Sequence, residues 1–327
     1  MNNIMDTIMA EVKKGDLNLS ESEEKIFIEA IEEAKKQKLN IMFVGATGVG
    51  KSSTINAIFN TEVAKVGYSV NPETSTIKKY EIDNMILWDT PGLGDSPEND
   101  ANYAIQMANA LKAKDENGNL IVDEVVVLVD GSNRDMGTTY EVIENIIMPY
   151  IGDNNRIVIA INQCDMAKKG RCWNRDEGKP EEELVEFLND KVKSVKNRIL
   201  ESTGVETNPI YYSALYKYNI SKLLYTMIKS IPETKRFVVA DNLNSDPQIW
   251  KVNDDVEEYN KEILSDIKNS VMSAIESASS GAAIGAKIGA KIGAKIGSII
   301  PIIGPAVGTT VGTVIGGALG FLGGLFF

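Results

Sequence analysis

The chain has 327 residues, 43 % of them apolar, enough to bury the core of one large domain or two modest ones and too many for extended disorder. Its formal charge is −12, and because residues 281–327 hold three Lys and no acid, residues 1–280 carry −15. So acidic a body argues against nucleic acid as main partner, and the absence of histidine excludes the imidazole-dependent hydrolase triads.

The opening MNNIMDTIMAEVKKGD lacks a basic start followed by a sustained apolar run and does not read as a secretory signal. From Ser20 to Gln37 the apolar Ile26, Phe27, Ala30, Ile31 and Ala34 recur at helical spacing, with Ser20 and Glu23 placed as a capping box, so residues 1–37 are read as a leading helical segment. Short β-like runs follow at 41–44, 77–82, 85–88, 125–130, 157–162 and 210–213. The segments between them are long enough for helices, which predicts an α/β fold with a mostly parallel sheet over residues 38–232.

Within that region Leu184, Leu188, Val192, Val195 and Ile199 predict a helix over 181–202 that covers one sheet face. Beyond Pro232, Val256, Tyr259, Ile263, Ile267 and Val271 mark a further amphipathic helix, so a helical appendage is expected over 233–280. Residues 281–327 differ from everything before them: two ladders of glycine every fourth residue, separated by Pro301 and Pro305, with no charged residue from Ser298 to Phe327.

Four motifs carry chemistry. The segment Ile41–Thr54, IMFVGATGVGKSST, sets Gly45, Gly50, Lys51 and Ser52 in the GxxxxGK[ST] pattern directly after an apolar strand. Here the backbone through Thr47, Gly48, Val49, Gly50 and Ser53 is expected to curl around phosphates. Lys51 is expected to meet the β and γ phosphates, and the Ser52 hydroxyl to ligate magnesium. Asp89-Thr-Pro-Gly92 ends a strand about forty residues on, where Asp89 suits a magnesium-bound water and the Gly92 N–H the γ-phosphate.

Asn162-Gln-Cys-Asp165 follows another strand. The Asp165 carboxylate can accept from guanine N1 and N2, a donor pair adenine lacks, while Asn162 braces the P-loop and the Ala214 N–H of Ser213-Ala214 approaches guanine O6. The expected ligands are therefore GTP or GDP with Mg2+. Arg134, Cys172, Trp173 and Cys164 are read as a loop charge and local packing, and the two cysteines have neither the number nor the spacing of a disulfide framework or zinc site, as befits a reducing cytosol.

Taken in order, GATGVGKS, a threonine segment, DTPG, NQCD and SA resemble the translation-factor class of GTPases, Era-like bacterial members in particular, over about residues 38–232. The resemblance implies a six-stranded P-loop GTPase fold with two nucleotide-sensing switch segments. It carries magnesium ligation onto a threonine of NPETSTIKKYEI, Thr74 in preference to Thr76. Two positions depart from the pattern: Gln163 stands where a lysine is usual, and Leu93 where Ras-like proteins have a water-orienting glutamine, so slow intrinsic hydrolysis is expected.

In the tail, IGAKIGAKIGAKIG places Lys287, Lys291 and Lys295 nearly opposite the glycines of a helix. Glycine so dense costs roughly 1 kcal/mol per residue in a helix relative to alanine, which close packing or a membrane must offset. Ala306–Phe327 is long enough to cross a bilayer, and its GxxxG spacing suits tight helix association, so a glycine-zipper hairpin in contact with lipid is expected, with a soluble hairpin as the alternative. A G domain with appended helices and such a tip resembles immunity-related and dynamin-like GTPases. Three readings follow: a membrane-associated GTPase switch that self-associates through its G domain or tail, a soluble Era-like regulator, and a toxin-like membrane-active effector controlled by its G domain.

Overall fold

The computed structural model describes residues 4–13, 20–59, 65–67, 77–91, 97–133, 137–254 and 256–278. Seven strands form one sheet: β1 (Leu39–Gly45), β2 (Lys65–Gly67), β3 (Lys78–Ile82), β4 (Met85–Asp89), β5 (Glu124–Asp130), β6 (Ile157–Asn162) and β9 (Ile210–Tyr211), in the order β2-β3-β4-β1-β5-β6-β9. All six expected strands are present, and the three-residue β2 extends one edge. From β4 to β9 every pairing is parallel, while β3 runs antiparallel to both its neighbours. A separate two-stranded ribbon joins β7 (Trp173–Asn174) to β8 (Lys179–Pro180).

The central strands are apolar on both faces because both faces are covered. Leu39, Ile41 and Phe43 of β1, with Val126 and Leu128 of β5, point to one core; Met42 and Val44, with Val125, Val127 and Val129, point to the other. Over the second face lie α4 (Pro97–Lys112), a helical run that begins as α5 (Gly137–Val142), turns through a π-helical stretch and ends as α6 (Met148–Tyr150), and α7 (Glu182–Thr203). α7 buries Leu184, Leu188, Val195 and Ile199 and stops at Gly204 in the left-handed conformation.

The first face takes helices from both ends of the chain. α3 (Lys51–Ile58) and α8 (Ile220–Ser230) lie there with α1 (Ile4–Lys13), α2 (Glu21–Ala34), α9 (Arg236–Asp241) and α10 (Val256–Ala278), and their apolar residues share one core with the strands. The segment beyond 232 is tied back by Lys235 to Asp123 at 2.7 Å and by Lys229 of α8 to Asp266 at 2.7 Å. Among the described residues no helix is long and apolar enough to cross a membrane; the glycine ladders of 281–327 lie outside them.

The helix α1 is held by its first turn: Ile4 N–H donates to Asp241 Oδ1 at 2.8 Å, and Ile4, Met5, Ile8 and Met9 are buried. Burial pushes the Asp241 carboxyl up to about 7, opposed by the Ile4 bond and reinforced by the charges of Asp83 and Asp6. A folded-state value raised above the ordinary 3.8 makes its contribution complete below that value and lost as pH rises through about 7. Amide exchange in α1, corrected for intrinsic rates, is therefore expected to be slower at about pH 6 than at about pH 8, and Asp241→Asn, which keeps an acceptor, to abolish the difference. Equal protection of the wild type at both pH values would contradict this.

Candidate nucleotide site

Because β1, β5, β6 and β9 are parallel, their carboxyl ends reach one edge of the sheet, where ligands of open α/β folds bind. There the loop after β1 turns into α3 through Gly50, whose φ of 95° only glycine adopts freely; a Cβ added to it would lie 2.4 Å from Asn162 Nδ2. The first N–H groups of α3 follow directly, on the side where a helix favours anions. Lys51 is buried, its ammonium donating to the carbonyls of Gly45 at 2.9 Å and Ala46 at 3.2 Å. Val49 is buried, and Thr47, Gly48, Ser52 and Ser53 are exposed.

The Ser52 hydroxyl donates to Asp89 Oδ2 at 3.0 Å. Burial raises the Asp89 carboxyl above its ordinary value, offset by this bond and by the charges of Lys51 and Lys78. A hydroxyl and one carboxylate side by side fit a hard cation that takes its other oxygens from phosphates and water, the usual setting of Mg2+. Thr90 anchors the strand end by donating its hydroxyl to Phe43 O at 2.8 Å.

Asn162 joins the P-loop to the segment after β9. Its Nδ2 donates to Val49 O at 2.8 Å, and its Oδ1 accepts from the Ala214 N–H at 3.1 Å. The N–H expected at guanine O6 is thus already turned into the site but shared with Asn162. Gln163, in a left-handed conformation (φ 59°), donates its amide to Gly48 O at 2.7 Å and so ties itself to the P-loop. Asp165 is 4 % exposed, and its Oδ1 has no hydrogen-bond partner among the described residues. Ser213 is fully buried and exchanges backbone hydrogen bonds with Tyr218 at 3.1 Å.

Two contributors escaped sequence reasoning. The Thr54 hydroxyl of α3 lies 2.6 Å from the buried Tyr212 hydroxyl, linking the P-loop helix to the strand end that presents Ser213-Ala214. Gly131 donates its N–H to Asn162 O at 2.7 Å, and a Cβ there would sit 2.5 Å from that oxygen, so the β5 and β6 loops cross in backbone contact. Cys164 is buried, Cys172 donates its thiol to Glu183 at 3.3 Å, and Trp173 packs on Tyr216 and Tyr218. Thr74, Thr76, Gly92, Leu93 and Arg134 lie outside the described residues.

Fold and site together define a P-loop GTPase domain. Residues 40–163 match the family of 50S ribosome-binding GTPases. The chain is 25 % identical over 210 residues to the GTPase Der of Orientia tsutsugamushi (strain Boryong), covering 63 % of this chain and 41 % of Der. It is 36 % identical over 97 residues to interferon-inducible GTPase 1 of Mus musculus, covering 28 % of this chain and 23 % of that protein. Among solved structures it resembles LeoA, a bacterial dynamin GTPase from ETEC, with a TM-score of 0.42 and 15 % identity over 84 % of this chain and 44 % of LeoA. The chain spans less than half the length of each of these relatives.

Asn162→Ala leaves the Ala214 N–H and the Val49 carbonyl without a partner, at a cost of about 1–3 kcal/mol for each group left buried. Nucleotide affinity, read by titration with a fluorescent GDP analogue, is expected to fall roughly tenfold or more. Tyr212→Phe, which removes one neutral hydrogen bond, is expected to lower thermal stability with little change in affinity. Unchanged affinity in Asn162→Ala would contradict the bridging role.

Proposed function

We propose that the protein binds GTP with Mg2+ and hydrolyses it slowly to GDP and phosphate as a conformational switch, attached to a membrane through residues 281–327. The observation that carries the nucleotide half is Asp165: a buried carboxylate with an oxygen that has no partner among the described residues, two residues after the Gln163 that bonds to the P-loop, suits the N1 and N2 donors of guanine. Adenine offers no such pair, and a carboxylate left unpaired in that position penalises it strongly.

In this reading Lys51 neutralises charge at the β and γ phosphates, and Ser52 and Asp89 hold the metal ion. Magnesium, when bound, supplies charge neutralisation across the β and γ oxygens. Thr74, or Thr76 in its place, and the Gly92 N–H sense the γ-phosphate, by the order of the motifs. With Leu93 in the glutamine position and no histidine in the chain, water is positioned poorly by the protein alone, so turnover stays slow until a partner or a second copy supplies a group. The motif order supports a reading close to the Era-like GTPases. The acidic body and the lipid-suited tail favour a membrane role over an RNA one.

The test pairs two variants. Asp165→Asn should lose GTP affinity and gain xanthosine triphosphate affinity, because the amide donates to the oxygen xanthine carries at C2; GTP binding unaltered by this change would sink the base assignment. Full-length protein should float with anionic liposomes, and protein lacking residues 281–327 should not. Full-length protein that ignores such liposomes with both GDP and a non-hydrolysable GTP analogue would favour the soluble hairpin.

A further inference from the structure

Between the loop after β5, the loop after Asp165 and α7 lies a concavity of about 860 Å³. Ser132 and Asn133 from the loop after β5, Lys168, Lys169 and Arg171 from the loop after Asp165, and Lys191 from α7 line it. Four cations converging on one hollow stand out in a body of net charge −15, since residues 281–327 hold three of the chain's Lys and none of its acids.

The loop is built against its own conformational preference. Lys168 (φ 52°), Lys169 (φ 61°) and Gly170 (φ 73°) form three consecutive left-handed residues, and Cys172 (φ 61°) is a fourth within five positions. Left-handed residues in L-amino-acid chains occur singly, and runs of them that include lysine persist only where the surroundings enforce them. Two internal ties do so: Lys168 pairs with Glu183, which also accepts from the Cys172 thiol, and Arg171 N–H returns to Lys168 O at 3.4 Å.

Not all four cations serve the fold. Lys191 is committed to the carbonyls of Asp130, Gly131 and Asn133 at 3.0, 2.7 and 2.7 Å, which fixes the opposite wall, and the Asp130 carboxylate is occupied by the Ser132 N–H and hydroxyl, both at 2.7 Å. Glu183 and Asp130, the acids bonded to the loops that line the hollow, are thus each already engaged. Lys169 and Arg171 are exposed and make no ion pair among the described residues. They are the charges left for a ligand, with Phe187 as an aromatic flank.

We infer that this hollow is a second anion site, distinct from the P-loop, that takes a phosphorylated ligand between Lys169, Arg171 and the Ser132–Asn133 loop and is felt at the guanine base. Its concave shape favours a small phosphorylated molecule over a flat protein surface. The coupling route is short: one wall is the Gly131 loop, whose N–H holds Asn162 O at 2.7 Å, and the other begins three residues after Asp165. The coupling, but not the anion site itself, rests on the guanine reading above.

Pyrophosphate is the probe, applied to full-length protein saturated with GDP and magnesium so that the P-loop is filled. Equilibrium dialysis is expected to show one pyrophosphate per chain, weakened about tenfold or more in Lys169→Gln/Arg171→Gln, as removal of charge-assisted contacts implies. The double variant should keep its affinity for GDP, and Lys51→Ala should keep the pyrophosphate site, so failure of the guanine reading and failure of this one give different results. Pyrophosphate should also slow release of a fluorescent GDP analogue from wild type and not from the double variant. Capture by phosphatidylinositol-phosphate vesicles, compared with phosphatidylserine vesicles of matched charge, separates the two sources of phosphate: loss of the preference in the double variant assigns a lipid headgroup, and no preference assigns a free ligand. No pyrophosphate bound to the GDP-loaded wild type, or equal binding to the double variant, would overturn the site. Binding without any effect on GDP release would overturn the coupling.

Discussion

The site depends on one side chain in one crowded place. Asn162, at the end of β6, bonds to the P-loop carbonyl of Val49 and to the Ala214 N–H at once, so the loop after β1 and the segment after β9 are held together by a single amide. Its neighbours must be small for it to fit: Gly50 lies against its Nδ2 and Gly131 against its carbonyl oxygen. Gln163 adds a second tie to Gly48, and the Thr54–Tyr212 pair a third from beneath. Burial makes the Asn162–Val49 and Thr54–Tyr212 contacts strong when satisfied and costly when broken. Asp165, three residues on, holds a buried oxygen, Oδ1, that has no hydrogen-bond partner among the described residues, and guanine is the ligand proposed for it.

The outer helices give this edge its support. One face of the sheet is covered by α4 through α7, all from within the segment between the DTPG motif and β9. The other is covered by α3 and α8 together with helices from the two ends of the chain, so α1, α2, α9 and α10 pack into the same core as Ile41 and Phe43. Phe43 also receives both the N–H and the hydroxyl of Thr90, next to Asp89. The Asp89 edge and the terminal helices thus meet on one strand, and α10 ends at Ala278, just ahead of the glycine ladders.

Much of this was legible in the sequence for physical reasons. Strands buried on both faces read as unbroken apolar runs, and the P-loop must use glycine and lysine at fixed spacing because backbone has to approach phosphate. The helix over 181–202 was readable from its period, and shifted by one residue at each end because its stop is Gly204. Less visible were elements whose signal is short or non-local. β2 is three residues long, β9, expected over 210–213, spans only two, and the leading helical segment expected over 1–37 holds two helices, α1 and α2, where periodicity marked only the second. The sequence treats Gln163 as the loss of a lysine stem, whereas its amide makes a P-loop contact. The Tyr212–Thr54 bond joins residues 158 apart, and the basic hollow is assembled from three distant segments, so no local pattern announces either.

The most direct test of the central claim, that Asp165 selects guanine, is a competition titration of full-length protein loaded with a fluorescent GDP analogue, using GTP, inosine triphosphate and ATP. GTP should compete best. Inosine triphosphate, which keeps N1–H but lacks the 2-amino group, should be weaker by roughly tenfold or more, the cost of leaving part of a buried carboxylate unpaired, and ATP should be far weaker still. ATP competing as well as GTP would contradict the account.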